Sequence, residues 1–330
     1  MSKQLAPIER VSWNIVRVLG LNPGPFTLQG TNTYIIGNGQ RRLLVDTGDG
    51  AQTEYFDLLR QCLGSSRIDR ILLTHWHADH IGGVGRLLST PEIVAPNCLV
   101  YKNHNPNTDS NGDVMTMLSE AQSKGCLRDI TDGQEFKIDG DELRLKAIFT
   151  PGHADDHMVF TIEGEEIKDQ PNGNTVNGPL LITGDLILGQ GTTIVYDLQL
   201  YMRSLGKVLE LAPAALLPGH GPIISSGAVG GKSNAVCAIE WYIEHRKMRE
   251  RQVIDVLSQT PTRANGGWRL DEVTSAIYTD ITDPKIIVAA RHNTLLHLKK
   301  LLAGGIVKRL EDKDSSGEHT ELWVLIGNKI

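Results

Sequence analysis

The sequence predicts an α/β fold, and three observations predict it. Short apolar runs of strand character recur through the first two thirds of the chain, each ending in a turn that carries Gly, Pro or a polar residue. Between them lie stretches with apolar residues at helical spacing. Beyond about residue 236 the pattern changes to helices followed by one short hairpin.

In chain order, Val11 to Val18, Thr33 to Ile36 and Arg42 to Val45 read as strands. Tyr55, Leu58, Leu59 and Cys62 mark a helix over Thr53 to Cys62, and Ile71-Leu72-Leu73 reads as a buried strand. The alternating Leu143 to Phe149, then Leu180-Leu181-Ile182 and Ala214 to Leu217, read as further strands. Residues 103–112, rich in Asn, Asp and Pro, read as a surface loop beside a cleft, and the charged, Gly/Asn-rich 163–178 as an elongated hairpin tip. Ser225 to Asn234 has linker composition, which divides a larger domain over 1–230 from a smaller one over 236–330. In the latter, Ala238 to Leu257, Leu270 to Val273 and Ala289 to Leu302 read as helices. A strand at Ile306 to Arg309 and its partner Leu322 to Ile326 follow.

Composition narrows the function classes. A chain of 330 residues is long enough for one large domain and a small one. A net charge of -6 argues against wholesale electrostatic binding of duplex nucleic acid, while leaving room for a local basic groove. Cys62, Cys98, Cys126 and Cys237 are scattered with no Cys-x-x-Cys pair and read as reduced thiols. No apolar run approaches the ~20 residues of a membrane span, and the N-terminal stretch has neither a signal-peptide core nor an Arg-rich presequence. The expectation is a cytoplasmic protein with no membrane partner.

Chemistry concentrates in Thr74-His75-Trp76-His77-Ala78-Asp79-His80-Ile81-Gly82-Gly83. Three imidazoles and one carboxylate within six positions, on a loop between a buried strand and a helix, form a metal-binding geometry that suits zinc and more than one ion. Three later strand ends each deliver one further ligand-type side chain: His153 in Pro151-Gly152-His153, Asp185 in Thr183-Gly184-Asp185, and His220 in Pro218-Gly219-His220-Gly221. Asp46 repeats the pattern and reads as a residue that holds the loop instead of the ion. His104, His245 and His319 lie in polar surroundings and read as surface residues, and Trp76 as packing beneath the loop.

The order His-x-His-x-Asp-His, Pro-Gly-His, Thr-Gly-Asp, Pro-Gly-His-Gly resembles the metallo-β-lactamase superfamily. Within it the chain resembles the lactamase-β-like protein two family, an endoribonuclease family, over nearly its whole length. Asn22 to Tyr34 looks like that family's opening, His153 to Met158 and Ile187 to Thr193 like its central motifs, and Arg291 to Leu301 like its C-terminal helix. Fungal polyketide-releasing thioesterases share much of the pattern. The resemblance implies a four-layer αβ/βα sandwich with a C-terminal winged-helix-like domain, and it admits a mitochondrial location beside the cytoplasmic one. Carried over residue by residue, it implies one zinc held by His75, His77 and His153, a second by Asp79, His80 and His220, and Asp185 bridging them. Manganese or iron would suit the same donors. His157 is open between substrate contact and support of His153. Asn32, a candidate substrate contact, and Thr31 are open between lining the cleft and shaping the strand.

Three functions compete on this reading. A single-strand endoribonuclease would direct a metal-bound hydroxide, with Asp79 as the catalytic carboxylate, at phosphorus. It predicts a basic rim from Lys299, Lys300, Lys308, Arg309 and the run His245 to Arg251, which otherwise is an ordinary solvated helix face. A thioesterase acting on an acyl carrier protein or a small acyl thiol would direct the same hydroxide at a carbonyl. A non-catalytic metal-stabilised module conflicts with the full donor set. Antibiotic hydrolysis conflicts with the extra histidine of His-x-His-x-Asp-His and with the lack of a secretory segment. The expectation is a binuclear zinc hydrolase, ribonuclease leading.

Overall fold

The computed structural model describes residues 4–106, 112–138, 143–164, 178–224, 228–229, 232–261, 266–313 and 319–326. Among them the apolar runs assemble into two large sheets. The first has strands β1 (Ile8–Arg10), β2 (Ile15–Leu19), β3 (Asn32–Ile36), β4 (Arg41–Val45), β5 (Arg67–Leu72), β6 (Val94–Lys102) and β7 (Leu127–Asp129), in that spatial order. It is antiparallel up to β4 and parallel from β4 to β7. The second has β8 (Glu135–Ile138), β9 (Leu143–Phe149), β10 (Met158–Glu163), β11 (Leu180–Gly184) and β12 (Ala215–Pro218) in the order β12-β11-β10-β9-β8, with only β11 and β12 parallel.

Period-two alternation explains the layering, because successive strand side chains point to opposite faces. Ile15, Tyr34, Ile36, Leu43, Val45 and Leu72 face the second sheet and pack with Leu145, Met158, Phe160, Ile182 and Leu217. Val16, Val18, Ile35, Leu44 and Ile71 point the other way, onto Tyr55, Phe56 and Leu59 of helix Thr53–Leu63 and onto Val84 and Leu118 of two further helices. On the second sheet, Val159, Leu181 and Leu216 are buried as well. Helix Leu198–Glu210 buries Leu205 and Val208, and the Tyr201 hydroxyl donates to the Leu186 carbonyl at 2.8 Å. The four-layer sandwich therefore follows from strands that are apolar on both faces.

Two details depart from the expected elements. The strand expected over Val11 to Val18 is broken by a turn in which the Val11 amide donates to the Ile15 carbonyl at 2.9 Å, and pairing resumes at Ile15. Linker-like 225–234 contains a two-residue ladder, Ala228–Val229 against Lys232–Ser233, and the Ser233 hydroxyl donates to the Pro213 carbonyl at 2.7 Å. Residues 107–111, 165–177, 225–227 and 230–231, which fall within the two expected loops and the linker, lie outside the described residues.

The chain divides into two compact units, Met1–Ile194 with Leu200–Glu240, and Val195–Gln199 with Trp241–Ile330. In the second unit, helices Leu270–Ile277 and Pro284–Ala303 precede the antiparallel hairpin Val307–Lys313/His319–Leu325. Val253, Val273, Leu298, Leu301, Val307 and Trp323 form its core, and Trp268 bridges Trp323 through paired backbone hydrogen bonds. This is a winged-helix arrangement. No helix among the described residues is long and apolar enough to cross a membrane.

Gly152, just ahead of His153, has φ +134, and a Cβ there would meet the backbone nitrogen of Tyr201 at 2.4 Å. Gly206, inside helix Leu198–Glu210, has nothing within 4 Å of the same added atom. Gly152→Ala should therefore cost more than about 2 kcal/mol in denaturant unfolding. Gly206→Ala should be neutral or stabilising by up to about 1 kcal/mol through helix propensity. Equal midpoints for the two variants would refute a tight approach at Gly152.

Candidate metal centre

Strand ends of both sheets converge on one point. At the end of β4 the chain turns through Asp46, whose φ of +60 aims its carboxylate back across the end of β5. There Oδ1 accepts the Thr74 amide at 2.8 Å, and Oδ2 accepts the Thr74 hydroxyl at 2.9 Å and His80 Nδ1–H at 2.7 Å. The ligand-rich loop and the short helix Ala78–Ile81 are thus tied to β4 by one buried carboxylate. Gly83 permits this closeness, since a Cβ there would lie 2.1 Å from the Thr47 carbonyl oxygen.

Two groups of donor atoms result. His75, His77, His153 and Asp185 form one, and Asp79, His80 and His220 the other. In the first, His75 Nε2 lies 2.9 Å from His77 Nδ1 and 3.2 Å from His153 Nε2, which is 3.1 Å from His77 Nδ1. In the second, Asp79 Oδ2 lies 3.2 Å from both His80 Nε2 and His220 Nε2, which are 3.3 Å apart. Asp185 stands between: Oδ2 is 3.6 Å from His153 Nε2, while Oδ1 is 3.3 Å from His220 Nε2 and 3.6 Å from His80 Nε2. That Oδ1 is buried and completes no hydrogen bond.

Outer hydrogen bonds set which nitrogen faces inward. His153 Nδ1–H donates to the Ile194 carbonyl at 2.7 Å, and His75 Nδ1–H to the Thr74 hydroxyl oxygen at 2.9 Å, the Thr74 proton being used on Asp46. His80 Nδ1–H is taken by Asp46, so the Nε2 atoms of all three rings point at the centre. Burial, reinforced by neighbouring imidazoles, pushes the pKa of His75 well down and that of His77 to about 4; burial also lowers His153. His80 and His220 go the other way. Burial opposes their charge, but Asp79, Asp46 and Asp185 lift His80 well above the usual range, and Asp185 and Asp79 lift His220 to about 9. Burial alone would raise the carboxyls of Asp79 and Asp185, yet His80 and His220 hold both well below the carboxylate range.

Lone pairs gathered this closely repel one another unless a cation lies among them. A zinc–nitrogen bond of about 2.0–2.1 Å would separate tetrahedral nitrogens by about 3.3 Å, close to the observed spacings. The donor chemistry, the spacing and the orphaned Asp185 oxygen fit two divalent ions, one per group, with Asp185 able to reach both.

The remaining candidate residues fall elsewhere. His157 has no exposed surface; its Nδ1–H donates to the Thr150 hydroxyl at 3.0 Å and its Nε2 accepts the Asp185 amide at 3.2 Å. It steadies the Asp185 turn and does not face a solute. Asn32 is also fully buried, with its amide donating to the carbonyls of Pro218 and Gly221 at 2.9 Å each, so it shapes the His220 turn instead of lining the cleft. Lys299 and Lys300 lie in the second unit, and Lys300 pairs with Glu250 at 2.5 Å. Trp76 packs against the first sheet's core and stands edge-on to His77. His245 stacks on Trp241, and the side chain of His319 lies outside the described residues. Thr31 reaches the centre, its hydroxyl donating to Asp79 Oδ2 at 2.8 Å, and unforeseen in the sequence is the buried pair Lys102–Asp156 at 2.9 Å.

Residues 26–167 match the metallo-beta-lactamase superfamily, and residues 270–316 match the beta-lactamase associated winged helix domain. The chain is 38% identical over 307 residues to the beta-lactamase-like protein 2 homolog of Caenorhabditis elegans, covering 92% of this chain and 88% of that protein. It is 37% identical over 282 residues to the atrochrysone carboxyl ACP thioesterase of Aspergillus fumigatus, covering 83% and 76%. A beta-lactamase domain protein from Burkholderia ambifaria has the same fold, with a TM-score of 0.69 at 18% identity over 97% of this chain and 93% of that one. With motif order, donor geometry and sequence likeness agreeing along almost its whole length, the chain belongs to the metallo-beta-lactamase superfamily, within the group of the beta-lactamase-like protein 2 homologs.

Proposed function

We propose that this protein is a hydrolase dependent on two zinc ions and that its substrate is single-stranded RNA. The observation that carries the hydrolase reading is the pair of donor groups with Asp185 between them, one oxygen toward each. His75, His77 and His153 would hold one ion, and Asp79, His80 and His220 the other. Such ions, when bound, supply an activated water and positive charge for the oxygen that gains electrons. The chain's own residues do the rest. Asp46, Thr74 and Ile194 aim the imidazoles, His157 steadies Asp185, and Asp79 stays ionised. The Asp79 side chain is 23% exposed, so its carboxylate reaches the open side and can accept a proton of the attacking water.

RNA is favoured by the resemblance to the endoribonuclease family, which runs through both units. In the second unit Lys299 and Lys308 are exposed and pair with no carboxylate among the described residues. Much of the remaining basic surface is neutralised within the unit, by Arg251–Glu244, Lys300–Glu250, Arg309–Glu321 and Arg291–Asp271. The rim is therefore a few phosphate contacts and not a broad basic field. A thioester substrate is the second reading, favoured by likeness to a protein named an acyl carrier protein thioesterase. The same centre would then act on a carbonyl.

Protonation separates the two groups. His75, His77 and His153 are neutral at pH 7 in the metal-free protein and ready to bind. His80 and His220 hold protons that a metal must displace, and the His220 proton leaves only as pH rises through about 9. Zinc titration of chelator-stripped protein should thus show one affinity nearly independent of pH between 6 and 9 and a second that climbs across this range. Two affinities rising in parallel would refute the asymmetry. Purified zinc-loaded protein should cleave an unstructured labelled RNA, and His77→Ala should abolish cleavage while remaining folded. Hydrolysis of an acyl thioester without RNA cleavage would select the second reading, and turnover by stripped protein would sink both. If RNA is the substrate, Lys299→Ala with Lys308→Ala should reduce the salt slope of binding by about 1.4, or about 0.7 for each lost phosphate contact. Thioester turnover should not change.

A further inference from the structure

We infer that Thr31 is a positioning residue that fixes the rotation of the Asp79 carboxylate, so that one oxygen faces His80 and His220, and that Asn22 sets the direction of the Thr31 proton. The inference rests on the two-ion reading above. Thr31 precedes β3 and has no exposed surface. The Asn22 side chain grips it at two points: Oδ1 accepts the Thr31 amide at 2.9 Å, and Nδ2 donates to the Thr31 hydroxyl oxygen at 3.0 Å. Asn22 is itself anchored, since the Thr27 hydroxyl donates to its carbonyl at 2.6 Å.

A hydroxyl has one proton to give. With Asn22 donating to its oxygen, Thr31 must give that proton elsewhere, and Asp79 Oδ2 lies 2.8 Å away. The same Oδ2 lies 3.2 Å from both His80 Nε2 and His220 Nε2. Turning the carboxylate would strand a buried proton, so Thr31 holds Oδ2 toward the two imidazoles. The backbone enforces the same arrangement. Thr31 forms a bridge with His220, and the Gly20 amide donates to the Thr31 carbonyl at 2.7 Å. Asn22, Thr31 and Asp79 form a directed relay from a loop remote in sequence to the second group of donors.

The test is zinc titration of the full-length, chelator-stripped chain against a competing chelator, with bound zinc counted by elemental analysis. The comparison set is wild type, Asp79→Ala, Thr31→Val, Thr31→Ser and Asn22→Asp. Two ions in wild type and one in Asp79→Ala would uphold the underlying two-ion reading; failure of that pattern overturns that reading and this inference together. Thr31→Val, which keeps the shape and removes the hydroxyl, should weaken the second ion about 10–100-fold and leave the first unchanged, as loss of outer partners of metal ligands does. Thr31→Ser should restore it to within a few-fold. Asn22→Asp keeps the acceptor for the Thr31 amide but removes the donor, so the Thr31 proton is drawn to residue 22 and the second ion weakens with Thr31 intact. Wild-type affinity in Thr31→Val overturns the positioning role. So does equal loss in the Val and Ser variants or loss of both ions, because either would report damage to the fold. Wild-type affinity in Asn22→Asp overturns the part assigned to Asn22.

Discussion

The structure is organised around an electrostatic conflict: donor lone pairs are aimed at one another in a largely buried centre. Three imidazole nitrogens within 2.9–3.2 Å, and a second set within 3.2–3.3 Å, would not be brought together by packing alone. Hydrophobic burial is indifferent to where an imidazole points, whereas each ring here is turned by a bond to its outer nitrogen or by its neighbours. The orientation is held by the protein, so the conflict is built into the fold. Positive charge at the centre relieves it, whether as protons on His80 and His220 or as divalent ions that the donors would hold.

The sandwich supplies the rigidity this requires. Strands apolar on both faces are locked between the two sheets on one side and helices on the other. Their ends are therefore fixed points, and short turns carry one donor each. Asp46 is the junction. It is buried, sits at positive φ and accepts three hydrogen bonds, joining the end of β4 to the His75–His80 loop. A side chain on a flexible loop could be swung away by the repulsion it meets; one tied to two strand ends cannot.

Much of this was legible in the sequence, for a physical reason. Strand runs and donor-bearing turns are local signals, so the strand Leu143 to Phe149 appears as expected and the seven donor residues could be picked out by type and place. What was not legible is partnership across the chain. Thr31 is 48 positions from Asp79, and nothing in a single sequence separates a hydroxyl that touches a carboxylate from one that merely fills a strand. Asn32 and His157 were left open for the same reason. Both are polar residues in motif-dense segments, and only the folded chain shows that their polar atoms meet partners in the interior, Pro218, Gly221 and Arg17 for Asn32, Thr150 and Asp185 for His157. The broken strand at Val11 has a simpler cause, since apolar alternation continues through a turn as readily as along a strand.

The centre itself is indifferent between phosphorus and carbon. Two ions held by these donors, beside an ionised carboxylate, would supply an activated water and charge for an oxygen that gains electrons, whichever atom is attacked. Substrate choice must therefore lie in what surrounds the donors. The second unit contributes less charge than its sequence suggests, because Glu250, Glu244, Glu321 and Asp271 each occupy a basic partner. Among the described residues of that unit, Lys299 and Lys308 are exposed and pair with no carboxylate. So few open charges agree with a chain of net charge -6.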